Sequence, residues 1–303
     1  MTDDPYALHL PNLRALYLPD SDYALVEADL RAADAFVIMW EAGATKAKDA
    51  LRNDADLHTP NAYHLYAEKY SNGSFHRVRE IGPPRTTMHS NGMSYRDNSK
   101  RWQHATNFAG RSRTVASVLV LPEDHVASCQ HWWTRVENPE IGALHDRLEF
   151  DLRSRKNPVI YNKFGFRRLY VGGGDPRARG DNLLGQALAW IAQSTVAVTI
   201  NHAMLRVDCA RGIFGQRGCG ECMTCEGWPV ELLMQHHDSL LLQVPLKAVN
   251  NALITRLRTA MCVVIPYDDP LVIPCEIKWS SLNWGSMKTW NEERLDVELS
   301  LTD

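Results

Sequence analysis

The sequence lacks a net positive charge: 33 Lys and Arg stand against 36 Asp and Glu, a formal charge of −3. That excludes a global basic field for nucleic acid, although a local basic face is still open, because net charge does not report distribution. It also lacks an uninterrupted apolar run near the roughly 18 residues of a membrane helix. The N-terminal "MTDDPYALHL" is acidic, so neither a membrane span nor a secretory leader is expected. Cysteine is sparse and odd in number, seven among 303 residues. A disulfide framework is therefore not expected, and a reducing, cytoplasmic compartment is. There is no internal repeat and no low-complexity tract. What is present, 45% hydrophobic and 23% charged residues, is the composition of one large globular domain or two modest ones.

Composition divides the chain in three. Residues 1–45 run from a Pro-punctuated start into an apolar stretch, residues 46–175 are rich in His, Arg, Trp and Asn, and residues 176–303 return to dense apolar runs. In the first, "YALVEADLRAADAFVIMWEAG" reads as a strand from Tyr23 to Ala28 running into a helix, with Leu30, Ala33, Val37 and Trp40 at helical spacing. Asp29 falls at the junction, where an aspartate serves either as a helix N-cap or as a metal ligand. In the last, Val230–Gln235 and Leu240–Val244 are apolar runs joined by His236-His237-Asp238-Ser239, which fits a hairpin connection. Asp238 is then either a turn residue or a second strand-end carboxylate. Two such carboxylates are what a pair of Mg²⁺ ions requires, and ions about 3.5–4 Å apart clamp the attacking and leaving oxygens of a phosphoryl transfer.

Between them, "YRDNSKRWQHATNFAGRSRTVA" reads as a helix over about 93–116. At about 100° per residue, Lys100, His104 and Phe108 fall within one arc, with Arg101 beside them. The face offers fixed cations, an imidazole and a ring, which suits a triphosphate and a stacked base. The alternative is a solvated helix that docks Trp102 and Phe108 on a core.

"VEADLRAAD", "KRWQHATNFAG" and "QHHDSLLLQVP", in that order, resemble motifs A, B and C of the family A DNA polymerases. "PNLRALYLPDSDY", "DLHT", "AQSTVAVTINHAM" and "PLVIPCEIKWSSLNWG" resemble the segments flanking those motifs. The resemblance covers about residues 10–287 and is nearest to bacteriophage members. It implies an α+β fold, a right-hand polymerase palm with an antiparallel sheet, and a mostly helical fingers subdomain. The palm would take residues 1–45 and 176–303, and the fingers 46–175. It implies template-directed DNA synthesis in (viral) DNA replication within the host cytoplasm, with dNTPs and primer-template DNA as partners and two Mg²⁺ ions on Asp29 and Asp238. It further implies that Lys100, Arg101, His104 and His58 contact phosphates, that Phe108 stacks on the incoming base, and that Asp34 crowds the sugar 2′ position. Gln193 and His237 would lie near the primer end, and Arg111 would contact template phosphate.

Several positions depart from the family pattern. His104 stands where a lysine is usual, Asp34 is one methylene shorter than the usual glutamate, Ser239 replaces a common glutamate, and Ser112 a common tyrosine. About two dozen residues precede motif A, so the expectation is palm and fingers only: one piece of a split enzyme with thumb and exonuclease on a separate chain, a truncated gene product, or a binding subunit that needs a thumb-bearing partner. A motif outside the resemblance is "RGCGECMTCEG". Its Cys219, Cys222 and Cys225, with Cys209 nearest upstream, have spacing for Zn²⁺ or an iron–sulfur cluster, or are free thiols in a loop.

Overall fold

The computed structural model describes residues 12–171, 182–209 and 219–291; the acidic N-terminal run lies outside them. In chain order, β1 (Tyr23–Leu30) leads to α1 (Ala33–Ala42), α2 (Thr45–Arg52) and α3 (His58–Tyr66). A ribbon of β2 (Glu68–Ser71) and β3 (Ser74–Arg77) precedes α4 (Tyr95–Asn107), α5 (Ser112–Leu119), α6 (Glu123–Trp132) and α7 (Pro139–Ser154). Then come a ribbon of β4 (Val159–Tyr161) and β5 (Arg167–Leu169), the long α8 (Leu183–Val207), and the hairpin of β6 (Glu231–His236) and β7 (Ser239–Pro245). The described residues end through α9 (Asn251–Met261), β8 (Val264–Ile265), β9 (Leu271–Val272), β10 (Cys275–Ser280) and β11 (Lys288–Thr289).

Two compact units result. The described parts of Met1–Arg31, Ala197–Val264 and Val272–Asp303 form one, and those of Ala32–Val196 with Ile265–Leu271 form the other. The first is built on an antiparallel sheet in the order β11-β10-β1-β7-β6. Its two faces differ because successive strand residues point to opposite sides. Ala24, Val26, Ala28 and Leu30 alternate with Leu25, Glu27 and Asp29. Across from the first set stand Leu240, Leu242 and Val244 on β7 and Ile277 and Trp279 on β10. Those residues are buried, as are Leu253, Ile254 and Leu257 of α9, which packs on β1 and β10. At about 2 kcal/mol per fully buried aliphatic side chain, this face fixes the register, since a one-residue slip would drive Asp29 and Glu27 into the apolar layer.

The second unit is mostly helical. Phe36, Val37, Ile38, Met39 and Trp40 of α1, Leu65 and Tyr66 of α3, Trp102, Trp132, Trp133 and Leu144 are all buried there. The antiparallel sheet and the helical character of this unit are as the resemblance implies. By length and composition α8 is apolar enough to cross a membrane, although no uninterrupted apolar run spans it. Half of its most apolar window is buried within the protein, and Gln193, Ser194, Thr195 and Thr199 interrupt its apolar residues.

Local boundaries differ from expectation in three places. Asp29 is not a helix N-cap: it lies inside β1, and the cap position of α1 is Ala32, left-handed at φ 51°. The hairpin connection is shorter than four residues, because the strands extend to pair His236 with Ser239 and leave only His237 and Asp238 in the turn. His237 takes the left-handed φ of 53° that a tight hairpin demands. The helix expected over 93–116 stops at Asn107, where Ala109 turns left-handed at φ 53° and the Gly110 N–H closes onto the Ala105 carbonyl at 2.7 Å. That is a helix-terminating turn, and a side chain at Gly110 would meet the same carbonyl at 2.8 Å.

Candidate active site

In the first unit, pairing of β1 with β7 puts Asp29 opposite Ser239, the residue after Asp238. The Leu30 N–H donates to the Asp238 carbonyl at 3.0 Å, so the hairpin turn is tied to the end of β1. Both carboxylates are half-buried. Burial pushes the Asp29 carboxyl above its ordinary range, the neighbouring Asp238 and Glu27 charges add to that, and Lys278 opposes it. Lys278 Nζ stands 3.4 Å from Asp29 Oδ2 and 3.2 Å from Glu276 Oε2. Burial alone would lower the Lys278 ammonium pKa, but Glu276, Asp29 and Glu27 outweigh it and hold the ammonium above its usual range.

The same sheet face continues inward with buried Glu27. Its Oε1 accepts from Trp284 Nε1 at 3.1 Å and from Ser239 Oγ at 3.4 Å. Ser239, where the family pattern has a glutamate, thus helps satisfy an acid supplied by β1. Beyond it, Leu25, Leu241 and Trp284 pack together with Met234 and Met287. His236 stands edge-on to Trp284 at 5.6 Å, and the exposed His237 is edge-on to His236 at 4.6 Å. Lys278, Glu27 and Glu276 are site residues that motif reading missed. Their signal was the strand period itself: Glu27-x-Asp29 and Glu276-x-Lys278 each put two charges on one face.

In the second unit, Ser94 caps α4, its Oγ accepting from the Asp97 N–H at 3.0 Å. The buried side of α4 is polar: Asn98, Ser99, Gln103, Thr106 and Asn107 flank the buried Trp102. Ser99 Oγ donates to the His58 carbonyl at 2.5 Å, and Asn107 Oδ1 accepts from Trp133 Nε1 at 2.9 Å. Directional bonds of this kind fix the rotation of the helix more tightly than apolar packing would. Lys100, Arg101 and His104 are exposed as a consequence, and Phe108, at the C-cap, is partly so. The His104 and Phe108 rings lie 4.6 Å apart. Of the two residues considered for docking on the core, Trp102 does so and Phe108 stays at the surface. Without a ligand His104 is held below its ordinary pKa, by desolvation first and by Lys100, with Asp34 in the first turn of α1 opposing.

Asp56 organises the start of α3. Its carboxylate accepts the His58 N–H at 3.0 Å and Thr59 Oγ1 at 2.7 Å, and pairs with Arg96 at 3.0 Å and Arg85 at 2.6 Å. Burial alone would raise its pKa, but the Arg96, Thr59 and His58 hydrogen bonds outweigh that and hold it far below the carboxylate range. His58 is held below its usual pKa by burial and then by Arg96, and its Nδ1 is buried with no hydrogen-bond partner among the described residues. Gln193 is exposed on α8, and Arg111 is exposed at the N-cap of α5. The isolated cysteines divide: Cys129 is buried, Cys275 partly so and Cys262 exposed.

The chain, with one unit built on an antiparallel sheet and the other mostly helical, matches the fold of a polymerase domain. No family model matches the sequence, and no curated protein does. Among solved structures the chain is similar to the POL domain of Pol1 from M. smegmatis, determined in complex with DNA primer-template and dNTP. The TM-score is 0.68 at 17% identity over 90% of this chain, and the chain spans 42% of the length of that one. At that identity the likeness carries the fold, and the residues must carry the chemistry.

Proposed function

We propose that the chain catalyses template-directed DNA synthesis, transferring a nucleotidyl group from a dNTP to a primer 3′-hydroxyl. The reading rests on one observation above the rest: strand pairing brings Asp29 and Asp238 to adjacent strand ends on a palm-like sheet. The pair fits divalent cations, since two half-buried carboxylates with a mutually unfavourable charge are stabilised by a shared positive partner. Asp29 and Asp238 would hold two Mg²⁺ ions, which when bound supply Lewis-acid stabilisation to the attacking 3′-oxygen and the departing pyrophosphate. Lys278 partly neutralises Asp29 in their absence and gives up that ion pair when they bind.

Lys100 and Arg101 contact the triphosphate as fixed cations, and His104 joins them once a phosphate outweighs the desolvation that keeps it neutral. Phe108 offers its ring to the base, and His58 serves as a further phosphate contact. Asp34 faces the sugar 2′ position, Gln193 and His237 attend the primer terminus, and Arg111 contacts template phosphate. The resemblance to bacteriophage members of family A supports a role in viral DNA replication. Primer extension by the purified chain with Mg²⁺ and dNTPs tests the reading. Extended product is expected, and its absence both alone and with a thumb-bearing partner chain overturns it. Cleavage of labelled primer-template without dNTPs would mean a nuclease instead.

A further inference from the structure

The thiols of Cys209, Cys219, Cys222 and Cys225 play no part in the polymerase reading, yet they converge. Their four Sγ atoms all lie within 4.8 Å of one another. Cys209 Sγ and Cys225 Sγ are 3.5 Å apart, too far for a disulfide bond. The main chain is arranged around the sulfurs: the Glu221 and Cys222 N–H groups point at Cys219 Sγ at 3.4 and 3.2 Å. The Thr224 hydroxyl stands 3.3 Å from Cys222 Sγ and donates to Asp208 at 3.1 Å. Gly220, at φ 77°, makes the turn that aims those amides. The loop also closes the end of α8, with Met223 and Thr224 N–H groups donating to the Arg206 and Val207 carbonyls at 3.0 and 3.2 Å. Arg256 of α9 braces it through Glu226 at 2.7 Å and the Glu221 carbonyl at 3.1 Å.

We propose that these four cysteines bind one Zn²⁺ in a closed, tetrahedral, structural site that pins the end of α8 to the segment leading into the β6–β7 hairpin. Zinc–thiolate bonds of about 2.3 Å set the edge of a sulfur tetrahedron at about 3.8 Å, inside the observed spread. An iron–sulfur cluster puts several irons and bridging sulfides between its thiolates. Four sulfurs gathered around one point therefore favour a single ion over a cluster. All four ligand positions are filled by protein, so the ion has no open site for chemistry, and its binding energy goes to the fold. The inference does not depend on the polymerase reading.

The test is metal analysis of the 303-residue chain purified under reducing conditions, with X-ray absorption at the zinc edge. About one zinc per chain with a four-sulfur shell near 2.3 Å is expected. Cys225→Ser should lower zinc content at least about tenfold at equal protein recovery, while Cys262→Ser, on an exposed cysteine outside the cluster, should leave it unchanged. Should Cys225→Ser not fold, the wild-type stoichiometry and sulfur count decide. Zinc below about 0.1 per chain, a shell with fewer than four sulfurs, iron in place of zinc, or a Cys209–Cys225 disulfide in the native chain would each overturn the proposal.

Discussion

Replacing Asp238 with asparagine separates electrostatics from fold. The turn tolerates either residue, and the main-chain bond from Leu30 to the Asp238 carbonyl is unaffected. What disappears is one negative charge beside Asp29, whose carboxyl is raised by burial first and by Asp238 second. A close pair of like charges at partly exposed positions repels by about 1 kcal/mol. A carboxyl whose folded pKa is raised costs stability at pH values above its unfolded pKa, so removing a cause of the shift returns stability at neutral pH. In EDTA the variant should therefore melt about 2 °C above wild type. Mg²⁺ should reverse that order, because only the wild type gains from ligand linkage. Primer extension should fall at least about 1,000-fold, or about 4 kcal/mol of transition-state stabilisation. Differential scanning fluorimetry with and without Mg²⁺, run beside an extension gel, reads all three. A variant that melts lower in EDTA, or that keeps both its Mg²⁺ shift and its extension rate, refutes the reasoning.

Lys100→Ala should raise the KM for dNTP about tenfold while the Kd for primer-template stays within about twofold; the reverse pattern in steady-state kinetics and filter binding would remove Lys100 from the nucleotide site. His58→Gln should flatten the acid limb of stability. Below about pH 6.5 the unfolded histidine takes up a proton that the buried, Arg96-facing folded one resists, so wild type loses stability on acidification. Urea titrations from pH 7 to 5 with equal slopes for both proteins would contradict this. Asp34→Glu should increase discrimination against ribonucleotides about tenfold by filling one more methylene at the 2′ position, and an unchanged ratio of dNTP to rNTP incorporation efficiency would place Asp34 elsewhere.

Motif order and strand period made the two aspartates, the basic helix face and the hairpin legible in the sequence, because each depends on neighbours in the chain. The apolar runs in "YALVEADL" and "LLLQVP" mark strands, and the pairing of those strands positions the carboxylates. "KRWQHATNF" sets Lys100, His104 and Phe108 along one side of a helix whatever packs behind it. Boundaries were less legible. The end of α4 at Asn107 is set by the left-handed Ala109, and the short hairpin turn by pairing of His236 with Ser239. Neither is a property of local periodicity. Lys278 beside Asp29, and Glu27 held by Trp284 and Ser239, join residues far apart in the chain. Sequence determines which chemistry each segment carries and which face it shows. Only the tertiary structure decides which charges meet, because that depends on strand order and loop closure, for which no local pattern codes.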